Sequence, residues 1–495
     1  MNNGKLCIPV CERTADKTIE QIKLAAKLAD IIEIRFDCIR SEAGRNETLR
    51  AIDETAIATP LIATLRSVEE GGTALKQERV EFWKNALPKF AAIDLESDLV
   101  SETDTGHVRI GSLHDLQTIP SDLPARAKEL ACVADILKVA ATARDAVDAL
   151  PIWNLLEEYK AVIPIAMGEG GKWTRILGLP HGAYLTYAAL EDGMGTADGQ
   201  IAARDMLDVY RVKHLNKQTK VYGIVGDPVS SSMSPYFQNA AFRDAGLNAV
   251  FIPLLVKDLE AFIRRMVRRK TREVELNFGG FSVTMPHKVA IMELLDEIDP
   301  VAKAVGAVNT VVIVGDKLIG YNTDAYGFIE PLERKFGDLN GAKVSIAGAG
   351  GAARACVYAF STKGVDVTIY ARDHNKAKAI AGEFGAKAGA PDVPFEPGSV
   401  DILVNATPLG MKGSGSEGTI ATADKLKGVS LVYDLVYNPA ETRLMKEAKK
   451  AGVQTIAGAE MLIAQGERQF ELWTGQRAPV EKMKASLDER LDEAK

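Results

Sequence analysis

Short apolar runs recur at nearly regular spacing along the first 190 residues of the chain. They fall at residues 6–10, 31–36, 61–65, 91–95, 108–113, 134–141, 161–167 and 183–190. Stretches with a helical period lie between them, such as residues 18–30 and 78–90. Eight strands that alternate with helices are typical of a closed parallel (β/α)8 TIM barrel, and an open doubly wound sheet is the alternative. The pattern therefore predicts an α/β fold in which a barrel is favoured.

The spacing of the apolar runs changes after a polar segment at residues 211–220, which we interpret as a linker. The next apolar runs predict strands of a smaller α/β domain, at residues 221–225, 250–255 and 281–284. A predicted strand at 343–347 is then followed by glycines, an alanine-rich helix and a second predicted strand at 366–370. This order predicts a βαβ unit in the second half.

Composition and charge narrow the function. The 495 residues are 46% hydrophobic and 26% charged, an ordinary soluble balance. The net charge of −7 disfavours a nucleic-acid partner. No run reaches the roughly 18 apolar residues of a membrane span, so no membrane partner is expected. The chain begins without signal or transit character, so we expect a cytoplasmic protein, or a plastid one whose transit segment has been removed.

The five cysteines are scattered along the chain. Cys7 and Cys11 are close in sequence, but no second pair completes a zinc site. An odd, sparse set fits a reducing compartment. We therefore expect buried, unreactive thiols and no metal.

Lys138 lies inside an apolar strand at residues 136–140, where it cannot simply be solvated. Burial among apolar neighbours disfavours the ammonium form of a lysine and frees an amine for attack on a carbonyl. The alternative is a lysine at a strand end that reaches solvent. Four preceding strands also deliver ionisable side chains near their carboxyl ends, where barrel active sites assemble and where a histidine beside a carboxylate transfers protons. These side chains are Glu33, Arg35, Arg66, Glu96 and His114.

Several motifs accompany these residues in a fixed order. They are EIRFD at 33–37, TLR at 64–66, DLE at 94–96, SLHD at 112–115, LKV at 137–139, RILG at 175–178 and TADGQ at 196–200. The series resembles type I 3-dehydroquinate dehydratase over about residues 1–210. It departs from that family at Asp198, where the family has proline, so a less rigid loop is expected here.

The resemblance implies a mechanism without a metal. Lys138 forms a Schiff base with the C3 ketone of 3-dehydroquinate. His114 removes a proton from C2 and later protonates the departing C1 hydroxyl, and Glu96 orients His114. The implied substrate-binding residues are Arg175, Thr196 and Gln200, together with Glu33, Arg35 and Arg66.

A glycine-rich segment, GAGGAA at residues 348–353, follows the strand at 343–347 and precedes a helix. This G-x-G-x-x-A pattern allows a backbone to approach a dinucleotide pyrophosphate at a helix N-terminus, although a simple turn is the alternative. The next strand ends with Arg372 and then Asp373. Arginine there accommodates the 2′-phosphate of NADP, whereas an acidic residue binds the ribose of NAD. We favour NADP, although the charge of Asp373 would repel the phosphate.

Lys288 and Asp324 are candidates for proton transfer. Hydride transfer to a ketone needs a proton donor at the forming alkoxide, and a lysine beside a carboxylate supplies one. The two residues are 36 positions apart in sequence, and a surface ion pair is the default interpretation of such a pair.

The motifs around this pair decide between the two interpretations. They are GDPVSSSMSP at 226–235, SVTMPHK at 282–288, GAVNT at 306–310, GYNTD at 320–324, NATPLGM at 405–411 and GAEMLIAQ at 458–465. Their series resembles shikimate dehydrogenase over about residues 219–490. The resemblance implies that Lys288 and Asp324 are catalytic. The implied shikimate-binding residues are Ser232, Ser234 and Tyr437 at the carboxylate and Thr284, Asn309 and Gln465 at the hydroxyls. The implied cofactor-binding residues are Gly348, Ala349, Gly350, Gly351, Ala352, Arg372, Thr407 and Met411.

Together the resemblances imply a bifunctional shikimate-pathway enzyme, a lyase fused to an NADP-dependent oxidoreductase. Its small-molecule substrates are 3-dehydroquinate and 3-dehydroshikimate or shikimate. We expect a barrel at residues 1–212, a shikimate-binding domain at 219–335 that residues 460–495 complete, and a Rossmann domain at 336–459. Two rivals are a Schiff-base aldolase barrel fused to a quinate-type NAD dehydrogenase, and an inactive ligand sensor.

Overall fold

The computed structural model describes residues 4–85, 87–390, 399–413 and 417–493. These residues form two compact units. One contains the described residues up to Ser231 together with Asn248–Phe278, and the other contains Ser232–Leu247 and the described residues from Gly279 onward. Within these ranges, no helix has both the length and the apolar character needed to cross a membrane.

Eight parallel strands in the first unit form the predicted barrel. They are β1 (Lys5–Val10), β2 (Ile31–Arg35), β3 (Leu61–Thr64), β4 (Phe90–Glu96), β5 (Val108–Asp115), β6 (Ile136–Thr142), β7 (Val162–Met167) and β8 (Leu185–Tyr187). Neighbouring strands pair in the order β7-β6-β5-β4-β3-β2-β1-β8. Tyr184 N donates to Val162 O at 2.9 Å, which brings the two ends of this order together. The prediction of a barrel rather than an open sheet is confirmed.

Six α-helices lie between these strands in the sequence. They are α1 (Ala15–Ala25), α2 (Glu42–Glu54), α3 (Lys76–Phe82), α4 (Leu123–Ala131), α5 (Leu150–Glu158) and α6 (Lys172–His181). The helix predicted at 78–90 ends earlier, at Phe82, and β4 already begins at Phe90.

The expectation of five free thiols is wrong, because Cys11 and Cys38 are joined by a disulfide. They are 27 residues apart in sequence. However, β1 and β2 pair side by side, so the segments that follow these two strands meet. Cys7 and Cys356 are buried thiols as expected, whereas Cys132 is exposed.

The remaining elements begin after the barrel. The strands are β9 (Lys220–Gly226), β10 (Ala249–Leu255), β11 (Gly280–Val283), β12 (Glu297–Ile298), β13 (Thr310–Val314), β14 (Lys317–Tyr321), β15 (Lys343–Ala347), β16 (Asp366–Tyr370), β17 (Lys387–Ala388), β18 (Ile402–Asn405), β19 (Leu431–Asp434) and β20 (Gln454–Ala457). The helices are α7 (Ser234–Asp244), α8 (Leu259–Phe262), α9 (Pro300–Val305), α10 (Asp324–Phe336), α11 (Gly351–Ser361), α12 (His374–Phe384), α13 (Arg443–Lys450), α14 (Gly458–Thr474) and α15 (Val480–Glu493).

In the first unit, β9 and β10 pair in parallel and pack beside the barrel. Ala146 N, in the loop after β6, donates to Leu255 O at 2.8 Å. The buried carboxylate of Asp145 accepts the Lys257 N–H at 2.5 Å. The loop that follows the strand of Lys138 is therefore fixed by its contacts with the end of β10.

The second unit contains the Rossmann sheet. Its six parallel strands have the order β17-β16-β15-β18-β19-β20, with the glycine-rich segment directly after the central strand β15. β11, β13 and β14 pair antiparallel, and β12 joins β14 in parallel. The long helix α14 packs on this part of the unit, since Trp473 Nε1 donates to Val311 O at 3.0 Å and Gln238 Nε2 donates to Gly466 O at 2.9 Å. The predicted βαβ unit is confirmed.

Candidate active sites

The carboxyl ends of the barrel strands surround a cavity of about 290 Å³. The structure brings most of the predicted barrel residues to its wall, as expected for side chains that end consecutive parallel strands. Those residues are Glu33, Arg35, Arg66, His114, Lys138, Arg175, Thr196 and Gln200. Glu96 lies outside the set of described residues that form this wall.

Lys138 is buried, but two carboxylates lie beside it, so the expectation of purely apolar neighbours is corrected. Its Nζ lies 2.7 Å from Asp94 Oδ2 and 3.4 Å from Glu33 Oε1. Burial acts to raise the pKa of Asp94, but the cations of Arg66 and Lys138 beside it hold this pKa well below its usual value. Because Asp94 and Glu33 come from other strands, the apolar sequence around Lys138 does not show them.

His114 is paired with Glu70, not with the predicted Glu96. His114 Nδ1 lies 2.7 Å from Glu70 Oε2. Glu96 instead accepts the Ser67 N–H at 2.8 Å and contacts Arg66 and Arg79. The prediction that Glu96 orients His114 is therefore wrong, because the loop after β3 places Glu70 nearer to the imidazole.

The protonation of the His114–Glu70 pair is set by burial. Burial and the nearby cations Arg66 and Lys138 hold the pKa of His114 well below its usual value, so the imidazole is neutral near pH 7. Burial also raises the pKa of Glu70 to about 8, although Arg66 opposes this. A neutral imidazole is a general base at Nε2 only when its ring proton is on Nδ1, where an ionised Glu70 would accept it.

Arg175 is buried at the same cavity with unused hydrogen-bond donors. Its Nε and Nη1 atoms have no partner among the residues that the structure describes. Burial lowers its pKa to about 10, so it remains a cation at neutral pH. A buried, unpaired guanidinium strongly favours an anion, and a carboxylate matches its two-pronged geometry.

The loop that carries Thr196 and Gln200 is held over the cavity by backbone contacts. Gly168 N donates to Asp198 O at 3.0 Å, and Thr196 N donates to Gln200 Oε1 at 2.9 Å. A Cβ at Gly199 would lie 2.3 Å from Gly168 O, so this close approach requires glycine. Proline is therefore not needed at position 198 to hold the loop.

The second unit brings Lys288 and Asp324 together. Lys288 Nζ lies 2.5 Å from Asp324 Oδ2, and both side chains are only partly exposed. Asn309 Nδ2 donates to Asp324 Oδ1 at 2.7 Å, and Asn309 Oδ1 accepts the Thr323 N–H at 2.7 Å. The pair is thus built on the N-terminus of α10 and is not a loose surface ion pair. The amide of Asn309 holds Asp324, and its contact with a ring hydroxyl stays a prediction.

The other predicted shikimate-binding residues lie in the same unit. Ser234 begins α7, and its N–H lies 3.3 Å from the hydroxyl of Ser232. Thr284 follows β11, and half-buried Tyr437 follows β19. Gln465 is buried on α14, where its Nε2 donates to Leu462 O. Their contacts with a substrate stay predictions.

A cavity of about 1060 Å³ lies at the glycine-rich segment of the Rossmann sheet. Gly348 has a φ of +115°, and a Cβ there would lie 2.7 Å from Ala406 O, so glycine is required. At Gly350 and Gly351 a Cβ would meet no atom of the described residues within 4 Å, so open space lies before the N-terminus of α11. Such a space and helix end suit a pyrophosphate. The predicted residues in the cavity wall are Gly348, Ala349, Gly350, Arg372 and Thr407.

Three predicted cofactor residues lie outside this wall as the described residues form it: Gly351, Ala352 and Met411. Gly351 and Ala352 begin α11, and Met411 is exposed beyond the loop that contains Thr407.

Arg372 and Asp373 differ in how their side chains are used. Asp373 is the N-cap of α12, and its Oδ1 accepts the Lys376 N–H at 3.2 Å. Its carboxylate therefore caps its own helix, and Arg372, Asp373 and Lys376 all line the cavity. The two cations outnumber the one carboxylate at this position, which favours a phosphate over a bare ribose.

The sequence pattern did not identify Glu70 as a site residue, because little in the sequence around it indicates such a role. It lies four residues after Arg66, in a loop beyond the strand end, and Arg66 Nη1 is 3.5 Å from it. Asp94 had a better signal, because it alternates with Glu96 on β4 and so shares its face.

Comparisons with known proteins match separate parts of the chain to separate family models. Residues 6–217 match the family model of type I 3-dehydroquinase. Residues 224–311 match the shikimate dehydrogenase substrate-binding domain, residues 330–408 match shikimate/quinate 5-dehydrogenase, and residues 458–487 match the shikimate 5′-dehydrogenase C-terminal domain.

Two curated relatives and two solved structures illustrate the similarity. A chloroplastic bifunctional 3-dehydroquinate dehydratase/shikimate dehydrogenase of Arabidopsis thaliana is 35% identical over 97% of this chain and 83% of its own. A shikimate dehydrogenase (NADP⁺) of Methanopyrus kandleri is 41% identical over 56% of this chain and 98% of its own. A crystal structure of a shikimate dehydrogenase in complex with NADP⁺ is 41% identical over 56% of this chain and 97% of its own, with a TM-score of 0.52. A ligand-free 5-ketofructose reductase of Gluconobacter is 32% identical over 55% of this chain and 99% of its own, with a TM-score of 0.50.

Proposed function

The chain belongs to the family of bifunctional 3-dehydroquinate dehydratase/shikimate dehydrogenases, and we propose that it dehydrates 3-dehydroquinate in its barrel and reduces the product to shikimate with NADPH. One observation carries the first step: buried Lys138 and the His114–Glu70 pair line a single cavity. The Lys288–Asp324 pair supports the second step. The residue ranges 1–212, 219–335 with 460–495, and 336–459 are the proposed domains.

Dehydration begins at Lys138. After Nζ loses a proton, the amine attacks the C3 carbonyl, and loss of water gives an iminium bonded to Nζ. Asp94 and Glu33, at 2.7 and 3.4 Å, direct Nζ into the cavity. The iminium draws electrons from C2, which makes the C2 proton removable.

His114 moves the protons in the next steps. Its Nε2 takes the C2 proton to give an enamine, and then returns a proton to the C1 hydroxyl, which leaves as water. Hydrolysis of the iminium releases 3-dehydroshikimate and restores Lys138. Glu70 touches Nδ1 of His114 and therefore acts as a positioning residue. Arg175, with two free donor atoms among the described residues, binds the substrate carboxylate under the loop of Thr196 and Gln200.

The pH dependence of dehydration follows from Glu70. Below its pKa of about 8, protonated Glu70 donates to Nδ1, so the ring proton sits on Nε2 and the base is blocked. Above it, the carboxylate accepts the Nδ1–H and Nε2 is free. We expect kcat/KM for 3-dehydroquinate to rise with pH up to about 8 and then level off, and Glu70→Gln to lose this rise. The measurement is a pH–rate profile, and exposed Glu69→Gln is the matched control. A profile in Glu70→Gln equal to that of the unmodified chain would contradict the assignment.

Reduction uses the Lys288–Asp324 pair. NADPH, when bound in the Rossmann cavity, supplies the hydride. Lys288 donates a proton to the alkoxide that forms at the ketone, and Asp324 holds Nζ in place at 2.5 Å. Asn309 fixes Asp324 in turn. Ser232, Ser234 and Tyr437 are proposed to bind the substrate carboxylate, with Thr284, Asn309 and Gln465 at the ring hydroxyls.

Cofactor choice is tested at Arg372. Removing the guanidinium deprives a 2′-phosphate of charge-assisted hydrogen bonds, so Arg372→Ala should raise KM for NADPH about tenfold to a hundredfold. KM for NADH, which lacks this phosphate, should be unchanged. Lys378→Ala, at an exposed lysine on α12, the helix that follows Arg372, is the matched control. A fluorescence titration compares the binding of NADPH and NADH to the two variants without turnover. Equal losses with NADPH and NADH would refute a phosphate contact.

The direct test of the whole function is an absorbance assay with 3-dehydroquinate, run separately with NADPH and NADH. We expect NADPH oxidation that depends on 3-dehydroquinate. The same assay with 5-ketofructose, and with quinate and NAD⁺, separates the rival activities. Turnover of either rival substrate, with none of 3-dehydroquinate, would reject the proposal.

A further inference from the structure

Tyr187 ends β8 and lines the barrel cavity, but the chemistry above does not use it. Its side chain is buried, with 4% of the residue exposed. The Nζ atom of Lys138 lies 4.6 Å from the centroid of its ring. Its hydroxyl has no hydrogen-bond partner among the residues that the structure describes.

A buried hydroxyl without a partner is destabilising, so its presence at a cavity needs an explanation. Burial and the carboxylate of Glu33 raise the pKa of Tyr187 well above its usual value. The hydroxyl therefore keeps its proton and remains a donor at neutral pH. A donor that faces no acceptor of the protein is suited to an acceptor on a ligand.

We propose that Tyr187 is a further substrate-binding residue of the dehydratase, which rests on the function proposed above. Its hydroxyl donates a hydrogen bond to a hydroxyl on the ring of the bound substrate. The face of its aromatic ring stabilises the positive charge that Nζ of Lys138 carries in the iminium.

A ring hydroxyl fits the hydroxyl of Tyr187 better than the substrate carboxylate does. Glu33 already accepts the Thr64 hydroxyl at 2.7 Å and needs further donors as a buried carboxylate. A substrate hydroxyl satisfies both groups, since it accepts from Tyr187 and donates to Glu33. The carboxylate has its own partner in Arg175, whose Nε and Nη1 are free within the described part of the chain.

The contact between Lys138 and the ring persists through the reaction. An aromatic face attracts a cation, and the attraction is larger where water is excluded. Conversion of the ammonium to the iminium leaves the positive charge on the same nitrogen. The ring therefore favours the charged imine over the neutral amine from which it forms.

Two variants separate the hydroxyl from the ring. In Tyr187→Phe, which keeps the ring, KM for 3-dehydroquinate should rise about threefold to tenfold, with little change in kcat. The Tm of the ligand-free chain should not fall, because the lost hydroxyl made no hydrogen bond with the described residues. A merely structural tyrosine would give the opposite pattern, a lower Tm and an unchanged KM.

In Tyr187→Leu, kcat should fall about tenfold to thirtyfold below that of Tyr187→Phe. The fraction of chain trapped by borohydride with 3-dehydroquinate should fall as well. Reduction of 3-dehydroshikimate by the same preparations is the internal control and should not change.

The outcomes distinguish this inference from the proposed function. Suppose that an adduct forms in the unmodified chain and that this chain and Tyr187→Phe have equal KM values. That result would overturn only the role of the hydroxyl. Equal kcat values in Tyr187→Phe and Tyr187→Leu would overturn the role of the ring. Failure to trap any adduct in the unmodified chain would overturn the proposed function, and this inference with it.

Discussion

Replacement of Lys138 by methionine should abolish dehydration of 3-dehydroquinate, with a loss of about 10⁵-fold in kcat/KM. Methionine keeps the length of the side chain but cannot form an imine, so the electron sink that makes the C2 proton removable is lost. A bound water or the histidine of the cavity does not replace it, because neither forms an imine with C3. Reduction of 3-dehydroshikimate by the same chain should continue at the unmodified rate. The measurement is the rate of each half-reaction with its own substrate.

Folding must be separated from chemistry in this variant. Lys138 is an ion-pair partner of buried Asp94, and an unpaired buried carboxylate is destabilising. Lys138→Arg keeps a cation beside Asp94 but offers no amine for imine formation, so it should be equally inactive with a smaller loss of Tm. Lys160→Met, at an exposed position, is the matched control. Substantial dehydration by a folded Lys138→Arg chain would contradict the imine mechanism.

Replacement of Lys288 by methionine should have the reciprocal effect. Loss of the proton donor at the alkoxide should lower kcat for reduction of 3-dehydroshikimate by about 10³-fold, within the range for general acid catalysis. Dehydration should be unchanged, because the barrel cavity is lined by other residues. The measurement is NADPH oxidation with 3-dehydroshikimate, and accumulation of that compound from 3-dehydroquinate.

The matched control for Lys288 is Lys303→Met, an exposed lysine on α9. Asp324→Asn provides a second view, because it keeps the shape of the carboxylate but removes the charge that holds Lys288 at 2.5 Å. We expect Asp324→Asn to lower kcat as well. If Lys288→Met changed only KM and left kcat intact, Lys288 would be a binding residue and not the proton donor.

The sequence predicted those parts of the sites that regular structure positions. Strands fix the direction of every second side chain, so Glu33, Arg66, His114 and Lys138 were expected to meet at the carboxyl ends of the barrel strands. The glycine pattern after β15 predicted the dinucleotide cavity for a similar reason, because a strand, a turn and a helix N-terminus fix its backbone.

The sequence failed where a partner comes from an irregular segment or a distant strand. Glu70 lies in a loop whose path depends on its contacts, whereas Glu96 ends a strand, so the sequence favours Glu96 as the partner of His114. The disulfide between Cys11 and Cys38 depends on two loops that meet only once β1 and β2 pair. The sequence predicts that the charge of Asp373 repels a phosphate. Its use as a helix cap depends on a side-chain direction that the sequence does not show.

The central claim is that Nζ of Lys138 becomes bonded to the substrate. Borohydride reduction of the unmodified chain with 3-dehydroquinate, followed by mass spectrometry of its peptides, tests this most directly. The account predicts one covalent adduct, located on Lys138 and absent from Lys138→Arg. An unchanged mass, or an adduct on another lysine that persists in Lys138→Arg, would contradict it.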